Sequence, residues 1–332
     1  YCLAIFFLIK TLSFYLDKKL LIILTVVLSF EPSINQWHSS FFSASIFTSI
    51  QIFLLSFLFK IKKNYFDYFI IGFILALLFA QRSAAMFYIF ILVFIFVIFI
   101  KKNKIKKIFI FPLSYLLFLS FIVYHNYNRS GLFYVTPLDQ RTALFHYFEP
   151  NILHKANNSK SLLFEKERIF KKINNWKESK KLNLNNERDL LAYYNEMKKN
   201  SIISILNHPI ISFKLAIKKT LHSGLLDPVY IFFFHKTEYK GNNSYYGSET
   251  HRKIIKYRLF YSILVYLISI YGFYYSFKYI KNKFIFFSSL SYLYFLGILG
   301  WMGWSRYYTA CIPFLLIFFS VGVYQLYLSY KK

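Results

Sequence analysis

Nine apolar runs, separated by polar segments that mostly carry lysine, restrict this chain more than any other feature. They cover roughly 2–16, 20–30, 41–59, 66–80, 84–100, 108–124, 259–277, 284–304 and 309–328. A helix needs about 20 mainly apolar residues to cross the hydrocarbon core of a bilayer, which is about 30 Å thick. Most of the runs approach that length. The run at 20–30 is short and reads as a half-helix or a thin span, with Lys18 and Lys19 reaching toward headgroups. With 57% hydrophobic residues, 23% aromatic residues and a mean hydropathy of +0.40, a soluble domain is excluded on composition. The expected fold is all-α: a polytopic transmembrane helical bundle of about 8–9 spans, with a mostly helical extracytoplasmic segment.

The lysines predict the orientation. Fifteen of the 33 lysines fall in five clusters: Lys18 and Lys19; Lys60, Lys62 and Lys63; Lys101, Lys102, Lys104, Lys106 and Lys107; Lys278, Lys281 and Lys283; Lys331 and Lys332. If the runs alternate in direction, all five clusters share one face, which the positive-inside rule makes cytoplasmic. The predicted organisation is an N-terminal transmembrane bundle at 1–124, an extracytoplasmic segment at 125–258, and C-terminal transmembrane helices at 259–332. The bias toward Lys, Ile, Asn, Phe and Tyr points to an AT-rich genome and a bacterial inner membrane.

This arrangement puts Arg82 at the outer tip of a hairpin, in LALLFAQRSAAMFYIFILVF (75–94), and not at mid-bilayer, where an arginine costs several kcal/mol. All eight arginines (Arg82, Arg129, Arg141, Arg168, Arg188, Arg252, Arg258 and Arg306) and all eight histidines fall on the predicted outer face. A lysine-biased composition with drifting outer loops explains this as well as an outer polar site does. The second explanation has a chemical reason, because the planar guanidinium grips phosphate bidentately and an ammonium does not. Asp67, near a helix foot, reads as a snorkelling surface residue. Cys2 and Cys311 lie in apolar runs, so no disulfide framework is implied. The formal charge of +27 is met largely by topology signals. The net charge left on 125–258 suits anionic headgroups or a lipid-linked phosphate, and nucleic acid is not an expected partner. Walker, GxGxxG, HExxH and GxSxG motifs are missing, which argues against ATP-driven transport by this chain, nicotinamide chemistry, zinc proteolysis and serine hydrolysis.

Within 125–258, LLFEKERIFKKINNWKE (162–178) has amphipathic helical spacing. Asn186 is placed to cap a helix running to about Asn207, with Leu190, Tyr194, Met197, Ile202 and Leu206 on one side. His208-Pro209 ends that helix and opens the next. The stretch 225–236 is apolar enough to dip into the interface.

Five stretches in order resemble the GT-C superfamily of polyprenyl-phosphate-dependent glycosyltransferases, of the protein O-mannosyltransferase and aminoarabinose transferase type. They are SFEPSINQWHSSFFSASIF (29–47), LLFAQRSAA (77–85), HNYNRSGLF (125–133) with Asn126, Tyr127 and Gly131, NHPIISF (207–213), and SRYYTACIPFLLIF (305–318). The resemblance covers most of the chain. It implies a membrane enzyme for hexosyl or pentosyl transfer from a polyprenyl-phosphate-linked sugar to a lipid, glycan or protein acceptor on the outer face of the plasma membrane. The family's catalytic Asp follows a first span and has no counterpart here, which implies a segment preceding Tyr1. A Glu common in the family falls on Ala44. Such chemistry needs a carboxylate to take the acceptor's proton and cations to hold the departing phosphate. Glu31 and Asp139 are the candidate carboxylates, although Glu31 also suits a helix end and Asp139 a helix N-terminus. Arg82, Arg129, Arg306 and Tyr307 are the candidate phosphate ligands, expected to converge in one cavity. No protein metal site is read from the sequence, and a divalent ion is a candidate cofactor. Two rival readings remain open: an O-antigen-type polysaccharide polymerase or ligase, and a non-catalytic membrane subunit or lipid transporter.

Overall fold

The computed structural model describes residues 1–31, 43–60, 64–99, 109–136, 142–225, 249–299 and 310–331, and among these it is helical without a strand. The helices are α1 (Cys2–Leu12), α2 (Lys18–Phe30), α3 (Ser43–Phe59), α4 (Tyr65–Gln81), α5 (Tyr88–Phe99), α6 (Ile110–Ser130), α7 (Ala143–Tyr147), α8 (Glu149–Ala156), α9 (Leu162–Ser179), α10 (Glu187–Asn207), α11 (Pro209–Leu225), α12 (Glu249–Tyr279), α13 (Asn282–Leu299) and α14 (Ile312–Tyr330). A short 3₁₀ turn, Ser83–Ala85, joins α4 to α5.

Among the described residues, three helical stretches are long and apolar enough to cross a membrane: Ile110–Ser130, Leu259–Tyr279 and Ile312–Tyr330. The apolar helices α1, α3, α4 and α5 are shorter. α14 is the central helix. Its side chains from Ile312 to Phe318 are nearly all buried, and α2, α12 and α13 pack around it. Lipid provides no hydrophobic drive for one helix to leave it for another, so close backbone packing has to hold such a bundle together. Two crossings are close enough to require glycine. A Cβ on Gly272 of α12 would lie 1.8 Å from the Phe318 carbonyl oxygen, and one on Gly322 of α14 would lie 2.2 Å from that of Ile268. Between α4 and α6, a Cβ on Gly72 would meet the Phe111 carbonyl oxygen at 2.2 Å. There the Ser114 hydroxyl donates to the Phe69 carbonyl across the contact at 2.7 Å.

The described lysines of the five clusters gather at one end of the bundle. Lys19 and Lys331, from opposite ends of the chain, both stand over the Tyr327 ring, 5.5 and 5.1 Å from its centroid. Lys281 stands 4.9 Å from the centroid of Tyr15, and Phe284 packs on both Tyr15 and Phe59. Phe99, beside the third lysine cluster, packs on Phe286. Asp67 at this end is a correction to the sequence reading, because its carboxylate is buried and not snorkelling. It accepts from the Asn64 backbone N–H at 2.9 Å and pairs with Lys60 at 2.8 Å. The Asn64 side chain in turn accepts from the Asp67 N–H, closing a capping box at the start of α4. The acid is thus paired and fully engaged at a helix start, where the dipole favours negative charge.

Helices α7–α11 form a separate packed unit. Phe145, Ile169, Ile173, Tyr193 and Met197 make one apolar cluster, and Phe148, Ile152 and Leu215 make another. The expected punctuation is present. The Asn186 side chain accepts from the Arg188 N–H, α10 ends at Asn207, and α11 begins at Pro209. The buried face of α10 is a correction. It carries Tyr193, Met197, Ser201 and Ser204, while Ile202 and Leu206 are exposed. The reason is Glu149, which is buried and accepts from Ser201 at 2.7 Å and Ser204 at 3.1 Å. A buried carboxylate without donors costs far more than exposing two apolar side chains, so α10 turns its hydroxyls inward. The stretch 226–236 lies outside the described residues.

Candidate functional site

The sequence draws attention to Arg82, and its surroundings are built from four helices. α4 ends at Gln81, where Arg82 leaves helical geometry with an extended backbone while its N–H still donates to the Leu78 carbonyl at 2.9 Å. The small residues Ser83, Ala84 and Ala85 then allow a 3₁₀ turn tight enough to reverse the chain. Arg82 is only 7% exposed, a degree of burial uncommon for arginine. Its guanidinium carbon lies 5.4 Å from the centroid of the Phe47 ring on α3, a cation–π contact.

Phe47 connects this arginine to the rest of the bundle. It packs edge-on against Phe295 of α13, which stacks on Phe314 of α14. Gln51, one turn along α3 from Phe47, donates to the Ala310 carbonyl at 3.2 Å, just before α14 begins. The hairpin turn is held from above by two tyrosines. Tyr294 donates to the Ala84 carbonyl at 2.7 Å and Tyr115 to that of Met86 at 3.3 Å. Tyr88, fully buried behind the turn, shares a 2.7 Å hydrogen bond with Ser291. Arg82 thus sits on a turn whose backbone is held at Ala84 and Met86, with its guanidinium against Phe47.

The other candidates are distributed unevenly. Glu31 ends α2 and is buried, 6% exposed. It is close enough to Tyr1 to act on it electrostatically, and the Tyr1 hydroxyl donates to the Leu28 carbonyl. α2 starts at Lys18 and Lys19, so Glu31 and Arg82 share the end of the bundle remote from the lysines. Arg129 occupies the last turn of α6 and is committed elsewhere. It donates to the Tyr134 hydroxyl at 2.5 Å and pairs with Glu187 at 3.4 Å, with 61% of its side chain exposed. Asp139, Arg306 and Tyr307 lie outside the described residues.

The Asn126-Tyr127-x-x-x-Gly131 element has a structural account. Gly131 takes φ +71° and caps α6 in the left-handed region, where a side chain would be strained. Arg188 leaves no room there either, since its Nη2 would lie 2.9 Å from a Cβ. Asn126 donates to the Tyr134 carbonyl at 2.8 Å and so ties the exit segment back onto the helix.

Sequence reasoning missed the polar interior of the α7–α11 unit. Burial raises the Glu149 carboxyl above its usual range, against the opposing pull of the Ser201 and Ser204 hydroxyls. Burial also lowers the Lys219 amine to about 8, helped by Lys166 nearby. Lys219 donates to the Tyr147 carbonyl and stands over the Phe148 ring. The only sequence signal for Glu149 is the pair Ser201 and Ser204, two hydroxyls three residues apart in an otherwise apolar stretch of helix. Among the described residues no three His, Cys, Asp or Glu side chains gather as a metal site. An open groove of about 550 Å³ between α1 and α3, lined by Phe7, Lys10, Phe14, Ser56, Phe57 and Lys60, faces the lysine end and lies away from Arg82.

Comparison with family models, with curated proteins and with solved structures finds no match to this chain.

Proposed function

We propose that the protein is an integral membrane glycosyltransferase that takes a sugar from a polyprenyl-phosphate carrier and passes it to an acceptor on the extracytoplasmic face. In this reading about 8–9 helices cross the membrane, the lysine end is cytoplasmic, and the α7–α11 unit lies outside. The observation that carries the reading is Arg82: a buried, aromatic-backed guanidinium at the end of the bundle away from the lysines.

The chemistry assigns one task to each group. An acceptor hydroxyl attacks the anomeric carbon, and its proton passes to a carboxylate, for which Glu31 and Asp139 are the candidates. The bond between the anomeric carbon and the carrier phosphate oxygen breaks. The phosphate leaves with the bonding pair and an added negative charge, which Arg82 stabilises in a poorly hydrated setting, with Arg306 and Tyr307 as further candidates. Arg129, paired with Glu187, has a weaker claim to this role.

The test is transfer from a polyprenyl-phosphate-linked sugar by the protein in proteoliposomes. Arg82→Lys keeps the charge and loses the planar fork. It is expected to cost on the order of 1–3 kcal/mol of transition-state stabilisation, roughly tenfold or more in rate, with normal insertion. Arg82→Ala costs more. Wild-type transfer rates in both variants would reduce Arg82 to a helix-end residue. Movement of the carrier lipid without sugar transfer would favour the lipid-transporter reading.

A further inference from the structure

α11 presents two apolar faces, and among the described residues one is packed and the other exposed. Ser212 and Leu215 are buried, and Leu215 joins the cluster of Phe148 and Ile152. On the opposite side Ile210, Phe213, Ile217 and Leu221 are 70%, 67%, 46% and 55% exposed. Their spacing of three, four and four residues makes one continuous helical stripe. The stripe extends around the corner onto Ile203 and Leu206 at the end of α10, both exposed. Lys214 and Lys218, one helical turn apart, are exposed along one flank of it.

Exposed apolar stripes of this size are rarely left in water. The position of α11 identifies the covering phase, because α11 packs against α12 and α13. α12 itself shows an exposed apolar stripe, with Phe260, Ile263, Leu264, Leu267 and Ile270, on its membrane-crossing part. The α11 stripe is therefore next to a lipid-facing surface, and the lysine pair supplies the charge that complements phosphate headgroups.

We propose that α11 lies on the extracytoplasmic leaflet as an interfacial helix, with Ile210, Phe213, Ile217 and Leu221 in the acyl region and Lys214 and Lys218 on anionic lipid headgroups. It anchors the α7–α11 unit flat over the membrane. The inference rests on α12 crossing the membrane and is independent of glycosyl transfer.

The test uses the whole chain with Cys2→Ala, leaving the buried Cys311 in place, in nanodiscs of phosphatidylcholine and phosphatidylglycerol. Spin labels are attached at Phe213→Cys, at Leu267→Cys on α12 and at Glu178→Cys on exposed α9. Collisions with oxygen should exceed those with a water-soluble nickel chelate at positions 213 and 267, and the order should reverse at 178. Adding Lys214→Glu with Lys218→Glu, both at exposed positions, should shift the label at 213 toward the nickel pattern. A label at 213 that behaves like the one at 178, or is shielded from both reagents by protein, overturns the proposal. So does a label unmoved by the charge reversal. A nickel pattern at 267 as well would overturn the membrane reading of α12, a failure distinct from loss of sugar transfer.

Discussion

Two buried ionisable residues in the α7–α11 unit pull its stability in opposite directions with pH. The amine of Lys219 titrates at about 8 in the folded protein against an ordinary value of 10.5. Between these values the unfolded chain holds the proton and the native state does not. The stability contributed by the neutral amine is thus full above 10.5 and is lost as pH falls through 8. Lys219→Met should abolish the gain in stability between pH 8 and 10.5 and melt higher at pH 7. Glu149 has the opposite sign. Its carboxyl is raised above 4.5 by burial, so its contribution is full below 4.5 and falls as pH rises through the native value. Glu149→Gln should flatten that decline. Thermal melts of the reconstituted protein against pH check both, and unchanged slopes would mean that neither group is buried in solution. Arg82 belongs to the same class of buried charge. Phe47, against its guanidinium, and Tyr115 and Tyr294, which hold the turn, are separated from it in sequence, so the hairpin motif shows an arginine but not the rings that place it.

Among the elements, the α12–α14 crossing depends most on single atoms. In GFYYSF the glycine at 272 looks like an ordinary weak point in a helix, and Gly322 sits in an apolar span with no evident partner. Each is required because the facing carbonyl occupies the space of a Cβ. Replacing either with leucine should push the helices apart, costing about 1–3 kcal/mol from overpacking and more where the backbone cannot shift. Gly297 has nothing within 4 Å of its Cβ position, so Gly297→Ala serves as the control and should leave stability within about 0.5 kcal/mol. Detergent melts of the three variants decide this, and equal melting of Gly272→Leu and Gly297→Ala would show that the close crossing does not hold the bundle. Helix boundaries were easier to read. Asn186 and His208-Pro209 mark the ends of α10 by chemistry that acts within a few residues. The inward face of α10 was not legible, since it depends on Glu149, a residue 52 positions from Ser201.

For the whole molecule, orientation is the property most open to measurement. Lys18 is exposed at the lysine end, and Lys160 is exposed in the α7–α11 unit. In intact cells a membrane-impermeant thiol reagent should label Lys160→Cys and spare Lys18→Cys. The reverse pattern would place Arg82 and Glu31 on the side of nucleotide-sugar donors and overturn the proposed reaction.

The helical fold of the described residues was legible from hydrophobic period and length, because these properties act locally and every backbone polar group in lipid must be satisfied within its own segment. The described lysines of the clusters share one end, as alternating runs would require. Only the packed structure showed which arginine is held and which is spent. Arg82 is buried at the end of α4 against Phe47 of α3, while Arg129, equally prominent in sequence, turns to Tyr134 and Glu187. Burial and pairing of a charge depend on side chains brought together from distant parts of the chain, and no local pattern encodes them. The outward stripe on α11 is of the same kind: its apolar period is visible in sequence, but which of its two faces meets protein is decided by Leu215 docking on Phe148 and Ile152.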